Sequence, residues 1–376
     1  MLNFEPGRTF YYWKGRVALY TILKAMGVRA GDEVIMPAYT CVVVANAVLY
    51  LGATPVYADI DALTYNITKE AISPLITPRT KAIIAQNTFG LSPDLDAIME
   101  LAAQHGLYVV EDCAHGLGGS YKGRPAGTNT HAAFFSTQWS KPFTTGLGGI
   151  AHVSDDELLP KVAALTEELS QPGKLADIIL AGQRLVRPLA DHPRLHYPLV
   201  ELYRFITQKL GLSVGSSVGG ELDSIEMPKD YLQAMGAMQR KSLEKASQAL
   251  ADKVQKRQAV AEEYDAFFRE RDISPPYRPE YAEHAMLRYT IRLSDKVAVI
   301  RKAQQLHIPI GDWFVSPLHP TEGDLGWCNY RSGQCPEAEK ACLEGVNLLP
   351  DQEISFEKLS RLFEYGTDVG LKETID

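Results

Sequence analysis

The sequence predicts an α/β fold, with a large unit built on a mainly parallel sheet flanked by helices and a smaller C-terminal α+β unit. Two observations carry this prediction. Between residues 31 and 155, apolar runs of strand length alternate with helix-length segments, which is typical of a parallel sheet covered by helices on both faces. After about residue 155 the pattern becomes helical, with helical periodicity over 230–271.

The individual elements follow from local signals. Strands are expected at 32–39, 54–60, 81–88, 107–113, 131–137 and 148–154, and helices at 16–27, 40–52 and 93–106. Pro93 at a helix start, and Gly52 and Gly106 after helix ends, support these boundaries. The C-terminal part adds a strand at 286–293 and helices at 296–307 and 355–365.

The chain of 376 residues is too long for one small core. We expect a large domain over 1–230, a long connecting helix over 231–271 and a small α+β domain over 272–376. An insertion at 171–212 interleaves cationic and apolar side chains. Such a segment can lie against a membrane surface or a partner, or clamp an anionic substrate, but the simpler interpretation is a helical pair packed over the large domain.

Composition narrows the class of protein. The net charge of -8 disfavours nucleic-acid binding, and no apolar run approaches the ~20 residues of a membrane span. The five cysteines are an odd number in a long chain, which suits a reducing compartment better than a disulfide scaffold or a metal site. The first residues, MLNFEPGRTFYYWKGR, have no apolar signal-peptide core. We therefore expect a cytoplasmic protein without a transmembrane segment.

Ligands of open parallel sheets bind beyond the carboxyl ends of the strands. There the sequence places an acid, Asp112, and a lysine, Lys141, on the loop after a later strand. A lysine among aromatics is often a surface residue, but an acid and an amine at strand ends also fit pyridoxal phosphate, which needs an amine for its aldehyde and an acid beside its ring nitrogen. Its phosphate binds hydroxyls and helix N-termini, for which Ser136 and the turn at Gly15–Arg16 are candidates.

Four blocks support this interpretation when they are taken together and in order. They are GDEVIMPAYTCVVVANAVLYLGATPVYADIDALTYNIT (31–68), residues 76–128, FFSTQWSKPFTTGLGG (134–149) and CPEAEKACLEGVNLLP (335–350). Through them the chain resembles the DegT/DnrJ/EryC1/StrS family of PLP-dependent aminotransferases, which mostly aminate keto groups on nucleotide-linked sugars. The resemblance implies the aspartate-aminotransferase-like (fold type I) form of the α/β fold.

The resemblance also implies roles for individual residues. Lys141 corresponds to the lysine that forms the internal aldimine with pyridoxal 5'-phosphate and moves the substrate proton, and Asp112 to the partner of the ring nitrogen. Ser136 corresponds to a phosphate ligand. Gly15 and Arg16 stand where the family has a phosphate-binding Gly-Thr pair, and an arginine there can pair with the phosphate or point to solvent.

Other positions depart from the family pattern. His115 replaces a Gln that hydrogen-bonds the ring hydroxyl. Cys41 replaces an aromatic that often stacks on the ring, which leaves Tyr39 as an alternative for that face. Asn87 replaces a His. The family's Asn and Arg, contributed by the neighbouring subunit, are missing from 219–235, so the partner subunit either contacts the phosphate differently or does not contact it.

The substrate side is the least specified. Trp313 and His319, in GDWFVSPLHP (311–320), resemble a family substrate loop and are candidate substrate contacts together with Asn87, although a core position suits Trp313 equally well. The family is dimeric, so we expect a homodimer with active sites at the interface.

The expected activity is transfer of an amino group from an amino acid, glutamate by resemblance, to a keto group of a nucleotide-linked sugar. The alternatives are a family enzyme that acts on a non-nucleotide keto substrate or catalyses elimination or cyclisation, and a non-catalytic sugar- or nucleotide-binding regulator on the same fold. Family dehydratases have histidine in place of the lysine, and the glycines do not form the dinucleotide-binding motif of a dehydrogenase.

Overall fold

A computed structural model describes residues 4–5, 7–173, 176–183, 221–222, 224–271, 273–351 and 354–363. Most of the predicted insertion at 171–212 lies outside the described residues, so its interpretation stays a prediction.

Strands and helices alternate through the first half of the chain. The strands are β1 (Thr9–Tyr12), β2 (Glu33–Pro37), β3 (Thr40–Cys41), β4 (Thr54–Ala58), β5 (Thr80–Gln86), β6 (Tyr108–Asp112), β7 (Ser120–Tyr121), β8 (Arg124–Pro125), β9 (Ala132–Ser136), β10 (Gly149–Val153), β11 (Ala282–Glu283), β12 (Tyr289–Arg292), β13 (Ile310–Gly311), β14 (Leu318–His319) and β15 (Gly345–Leu348). The α-helices are α1 (Gly15–Ala25), α2 (Val42–Leu49), α3 (Lys69–Ile72), α4 (Leu95–His105), α5 (Leu159–Glu167), α6 (Ala237–Gln248), α7 (Leu250–Arg269), α8 (Lys296–Gln305), α9 (Pro336–Glu344) and α10 (Phe356–Phe363). Residues 176–183 are also helical, and short 3₁₀ turns occupy Ser73–Leu75, Thr88–Gly90 and Gly326–Cys328.

The large unit is built on a seven-stranded sheet in the order β1-β10-β9-β6-β5-β2-β4. The five strands from β9 to β4 are mutually parallel, whereas β10 and β1 are antiparallel to their neighbours. This mostly parallel sheet flanked by helices confirms the predicted fold class. Strand β1 escaped prediction because TFYY carries no long apolar run and forms at the sheet edge, against β10.

Both faces of the sheet are buried, as its unbroken apolar runs require. In β2, Val34 and Met36 face one core with α1 and α2, while Ile35 faces a second core beneath α4. Helix α4 ends at Gly106 in the left-handed region (φ 64), a conformation that glycine adopts without a steric penalty.

The C-terminal unit has its own antiparallel sheet, β12-β15-β13, and its own core. That core joins Phe268 of α7, Tyr289 of β12, Val299 of α8 and Leu359 of α10. A separate two-stranded parallel ladder pairs β14 with β3, opposing His319 to Cys41, and so fastens the 311–320 loop to the large unit.

The stretch 230–271, predicted as one helix, forms two helices. Residues before Gly236 are not helical, since Gln233 and Ala234 bond to Trp13 and Ser170 through their backbones. Ala249 then separates α6 from α7 with non-helical torsions (φ -90, ψ 3). Helical periodicity alone does not detect such tertiary contacts. Within the described part of the chain, every helix is too short or too polar to cross a bilayer.

Candidate active site

The parallel strands bring their carboxyl ends to one edge of the sheet, and the predicted chemical groups gather there. Asp112 ends β6 and Ser136 ends β9, which is its direct neighbour in the sheet. Lys141 lies on the loop between β9 and β10. That loop is fixed by backbone bonds between Thr137 and Thr145 (3.0 Å) and by the contact of their hydroxyls (2.6 Å). The acid and the amine therefore face one region from neighbouring strands.

Lys141 is held in a partly buried, cation-rich position. Its Nζ lies 2.9 Å from His115 Nε2 and 5.2 Å from the centre of the Trp313 ring. Burial lowers the pKa of Lys141 from 10.5 to about 8, and the charges of Arg288 and Arg16 act in the same direction. A substantial fraction of the amine is therefore neutral near pH 8, the form that attacks a carbonyl.

His115 is a neutral hydrogen-bond donor in this arrangement. The backbone N–H of Phe89 donates to His115 Nδ1 (3.3 Å), which places the ring proton on Nε2, where it can donate to Lys141 Nζ once that amine is neutral. Burial lowers the pKa of His115 well below 6.5, and the positive charge of Lys141 adds to this effect. Trp313 stacks on the imidazole with ring centres 5.4 Å apart. His115 and Trp313, predicted from separate parts of the sequence, thus lie together beside Lys141.

Asp112 is buried with part of its hydrogen-bonding capacity unused. Its Oδ1 accepts from the N–H of Ala114 (2.9 Å), whereas its second oxygen has no hydrogen-bond partner among the described residues. Burial raises the pKa of Asp112 from 3.8 to about 6, an effect reinforced by Glu111 and opposed by the Ala114 N–H and by Lys141. A buried carboxylate in this state is suited to a cationic N–H group supplied by a ligand.

The start of α1 lies against the end of β9. A Cβ on Gly15 would come within 3.1 Å of Ser136 Cβ and of the Phe135 carbonyl oxygen, so a larger residue would push the end of β9 away by a few tenths of an ångström. No side chain caps the helix start, and its first N–H groups carry the positive end of the helix dipole. The Ser136 hydroxyl has no acceptor within the described ranges. Gly15 and Ser136 together offer donors to an anion such as phosphate.

Arg16 does not point to solvent. It is 7% exposed and its Nη1 lies 2.6 Å from Glu221 Oε1, while Lys14 Nζ lies 3.9 Å from the other oxygen of the same carboxylate. Glu221 is itself anchored by Asn46, whose Nδ2 donates to its carbonyl oxygen (2.6 Å). Arg16 is thus held beside the helix start by a buried ion pair, and its contact with phosphate stays a prediction.

The two candidates for the ring face lie in different surroundings. Cys41 precedes α2, is partly exposed and pairs with His319 in the β3–β14 ladder, which places it close to Trp313 and the site. Tyr39 is fully buried, stacks on Tyr65 (5.7 Å) and contacts Phe314 edge to face (4.8 Å). The geometry favours Cys41 over Tyr39 as the residue next to a bound ring.

The other two substrate candidates, Asn87 and His319, also lie in different surroundings. Asn87 is 1% exposed and its amide donates to Glu111 Oε1 (3.0 Å) and to the carbonyl of Asp112 (3.3 Å), so it braces the end of β6. His319 lies 6.1 Å from the ring of Trp313 and acts on the pKa of His115. His319 therefore adjoins the site, whereas Asn87 supports it from below, and both substrate roles stay predictions.

Two nearby charged residues were not predicted. Arg288 precedes β12 and its guanidinium carbon lies 4.6 Å from the centre of the Trp313 ring. Glu221 pairs with Arg16. The signals in the sequence were faint: a cation in the strand-like run MLRYTIRL, and an acid in the segment where the family's cross-subunit pair is missing.

Comparison with known proteins decides the family. The model of the DegT/DnrJ/EryC1/StrS aminotransferase family matches residues 14–175 and 232–365. The chain belongs to this family. The family match spans both the Lys141 loop and the C-terminal unit, which confirms the resemblance drawn from the sequence blocks.

Individual relatives carry sugar aminotransferase names. The chain is 42% identical over 160 residues to the GDP-perosamine synthase of Caulobacter vibrioides, an alignment that spans only 43% of that relative's length. It is 29% identical over 337 residues to the UDP-2-acetamido-2-deoxy-3-oxo-D-glucuronate aminotransferase of Pseudomonas aeruginosa, covering 89% of this chain and 78% of the relative. The crystal structure of NtdA from Bacillus subtilis with bound cofactor PMP matches with a TM-score of 0.69 at 21% identity, covering 95% of this chain and 72% of that one, and so supports the fold.

Proposed function

We propose that this family member is a PLP-dependent aminotransferase that moves an amino group from an amino acid to a keto group of a sugar, with a nucleotide-linked sugar as the leading candidate. The observation that carries the proposal is the pairing of Lys141, with its lowered pKa, and buried Asp112, with one unpaired oxygen, on neighbouring strands. The names of the curated relatives support the sugar substrate.

The residues present fit pyridoxal phosphate. The unpaired oxygen of Asp112 suits the protonated ring nitrogen, and the Nε2–H of His115 suits the ring hydroxyl. The start of α1 and the Ser136 hydroxyl suit the phosphate. When bound, the cofactor supplies an electron sink for the substrate carbon. The PMP in the NtdA structure is consistent with this assignment.

Each proposed step uses groups of this chain. Lys141 serves as the residue to which the cofactor is covalently attached. When released, its neutral Nζ takes a proton from the substrate carbon and gives it back at a later step of the transfer. Asp112 keeps the ring nitrogen charged. Trp313, stacked on His115, covers the reacting amine and excludes water from it.

The donor and the assembly belong to the proposal as well. Glutamate is the proposed donor, and the proposed assembly is a cytoplasmic homodimer with each site completed at the interface. The amino-acid pair that the family takes from its partner subunit is missing here, and Arg16, inside the same subunit, is the proposed replacement for the lost phosphate-binding cation. A family enzyme with a non-nucleotide keto substrate is the alternative that a substrate panel separates.

The test is reconstitution of the purified protein with pyridoxal phosphate. We expect a visible absorbance band, bleached by borohydride, with the added mass mapped to the peptide that contains Lys141. The Lys141→Ala variant should show neither effect, whereas Lys122→Ala, which removes an exposed lysine paired with Asp96, should behave like the native protein. A colourless native protein, or labelling at Lys122, would contradict the proposal and favour a non-catalytic binding protein.

The activity itself is then measured in two halves. L-glutamate alone should convert the visible band to the shorter-wavelength band of the amine form, and a panel of nucleotide-linked and free keto sugars should restore it. The keto compound that restores the band fastest identifies the substrate class. Restoration by free keto compounds alone would replace the nucleotide-linked sugar with the alternative substrate.

A further inference from the structure

Arg288 is a cation beside the reacting amine that the proposed transfer does not use. Its guanidinium carbon lies 4.6 Å from the centre of the Trp313 ring, the same ring that lies 5.2 Å from Lys141 Nζ. Its position is fixed by the backbone, since the N–H groups of Ala285 and Leu287 donate to the carbonyls of Gly90 and Phe89 (3.0 Å each) on the loop after β5. The guanidinium is thus anchored where two parts of the chain meet.

In the described part of the chain, Arg288 has no carboxylate close enough to form an ion pair. The nearest acid that acts on it is Asp351, but both oxygens of that carboxylate already accept from Arg257, at 2.6 and 2.8 Å. Within the described ranges no carboxylate lies in salt-bridge distance of Arg288, and its hydrogen bond goes to the carbonyl of the preceding residue, Leu287 (2.9 Å). The carboxylate of Asp351 is therefore paired with Arg257 and not with Arg288.

Arg288 is partly buried, and this makes the imbalance costly. Its removal from water lowers the pKa of Arg288 from 12.5 to about 10, with Arg257 acting in the same direction and Asp351 against it. At neutral pH the side chain still carries its charge, which a ligand anion would compensate. A guanidinium presents two parallel N–H groups that match the geometry of a carboxylate.

We propose that Arg288 binds a carboxylate of the substrate and makes the site selective for carboxylate-bearing substrates. This inference rests on the proposed transaminase function, because it assigns the anion to a molecule that reacts at Lys141. Two sources supply the same chemistry: the α-carboxylate of the amino donor, or a carboxylate on the keto sugar. The diphosphate of a nucleotide is a different ligand, and a single guanidinium that shares a ring with the reacting amine suits a group close to the reacting carbon.

The experiment compares matched ligands by isothermal titration calorimetry on the cofactor-loaded protein. For the donor, L-glutamate is paired with 4-aminobutyrate, which lacks the α-carboxylate. For the sugar, D-glucuronate is paired with D-glucose. The variants are Arg288→Gln and Arg288→Lys, with Arg271→Gln as the matched control, because Arg271 also lies over an aromatic ring (Phe267, 3.7 Å) in the same unit but donates to Ser360.

We expect Arg288→Gln to weaken binding of the member that has the tested carboxylate, L-glutamate or D-glucuronate, by about 10- to 100-fold in one of the two pairs, and binding of the member that lacks it by less than about 2-fold. The pair that responds identifies the source of the carboxylate. Arg288→Lys should fall between the native protein and Arg288→Gln because it keeps the charge without the paired N–H geometry. Arg271→Gln should bind as the native protein does.

Equal weakening of both members of each pair, or no weakening of any, overturns the inference. So does selective loss of GDP or UDP binding in Arg288→Gln, since that would assign the guanidinium to a nucleotide. The visible band of the bound cofactor is recorded on every sample. Its absence from the native protein would contradict the transaminase proposal, whereas its presence together with unchanged carboxylate selectivity would contradict only the assignment of Arg288.

Discussion

The Arg257→Met substitution probes how the long helix α7 positions the lysine loop. Arg257 is 2% exposed, and its Nη2 donates to the carbonyl of Pro142 (2.8 Å), the residue directly after Lys141. The same guanidinium forms the two-bond ion pair with Asp351. The Arg257 side chain therefore links α7, the C-terminal unit and the loop that carries Lys141.

The magnitude follows from what each partner loses. Removal of the donor leaves the Pro142 carbonyl, which is buried against the guanidinium, without its bond, at a cost of about 1–3 kcal/mol. The Asp351 side chain is 44% exposed, so water can replace the lost ion pair, which contributes about 1 kcal/mol or less. We expect Arg257→Met to lower the free energy of unfolding by about 1–4 kcal/mol.

The assay combines urea denaturation with the rate of the glutamate half-reaction. A displaced Lys141 slows proton transfer more than it weakens binding, and a shift of about 1 Å can cost about 100-fold in rate. We therefore expect a 10- to 100-fold lower rate at saturating glutamate with a similar dissociation constant. Arg271→Met serves as the control for loss of an arginine just after the end of α7 that bonds to Ser360 and not to the Lys141 loop. An Arg257→Met variant with native stability and native rate would refute this reasoning.

Three further predictions concern the charged groups around the site. The reactivity of Lys141 toward an amine-acylating reagent should rise with pH, with a midpoint at about pH 8. Arg288→Gln should move that midpoint upward, which mass spectrometry of the labelled peptide can measure. An unchanged midpoint would show that the two charges do not interact. Asp112 has a pKa of about 6 in the folded protein against an ordinary value of 3.8, so its burial lowers stability as pH rises from about 4 to 6. In melting experiments Asp112→Asn should therefore stabilise the cofactor-free protein by up to about 3 kcal/mol above pH 6 and by little near pH 4. Equal effects at both pH values would contradict this sign. Lys296→Met removes an ammonium that donates to the carbonyls of Asp312 and Phe314, on either side of Trp313, and to the carbonyl of Cys342 in α9. We expect the free energy of unfolding to fall by about 1–3 kcal/mol and, in steady-state assays, KM to rise more than kcat falls; a native KM would contradict this role.

The strands of the sheet could be predicted from the sequence because a local run of apolar residues marks a buried strand. The central residues of β2 (Val34, Ile35 and Met36) and of β6 (Val109 and Val110) are apolar on both faces, and the sheet buries both. The grouping of Asp112, Ser136 and Lys141 follows from the rule that ligands of parallel sheets bind beyond the carboxyl ends of the strands. These features required no knowledge of distant contacts.

Other features depend on contacts between residues far apart in the chain. The ion pair of Arg16 joins positions separated by about two hundred residues, and no local rule selects Glu221 as its partner. Arg288 lies in a strand-like run, where its periodicity suggests only one face of a small sheet. The break at Ala249 and the edge strand β1 are likewise set by neighbours rather than by composition.

The charged groups around this site differ in how many of their hydrogen bonds are formed within the protein. This difference distinguishes groups that hold the structure together from groups that are available to a ligand. Glu111 accepts from Asn87 and from the N–H of Gly127 (2.9 Å), and Lys296 uses all three of its donors. Such groups are fully bonded within the protein and hold its parts in place. Asp112 is buried and Arg288 is partly buried, but among the described residues the acid keeps an oxygen without a bond and the guanidinium lacks a carboxylate. Since an incompletely satisfied charge away from water lowers stability, these two positions are where a bound ligand gains most from this protein, and both charges act on the pKa of Lys141.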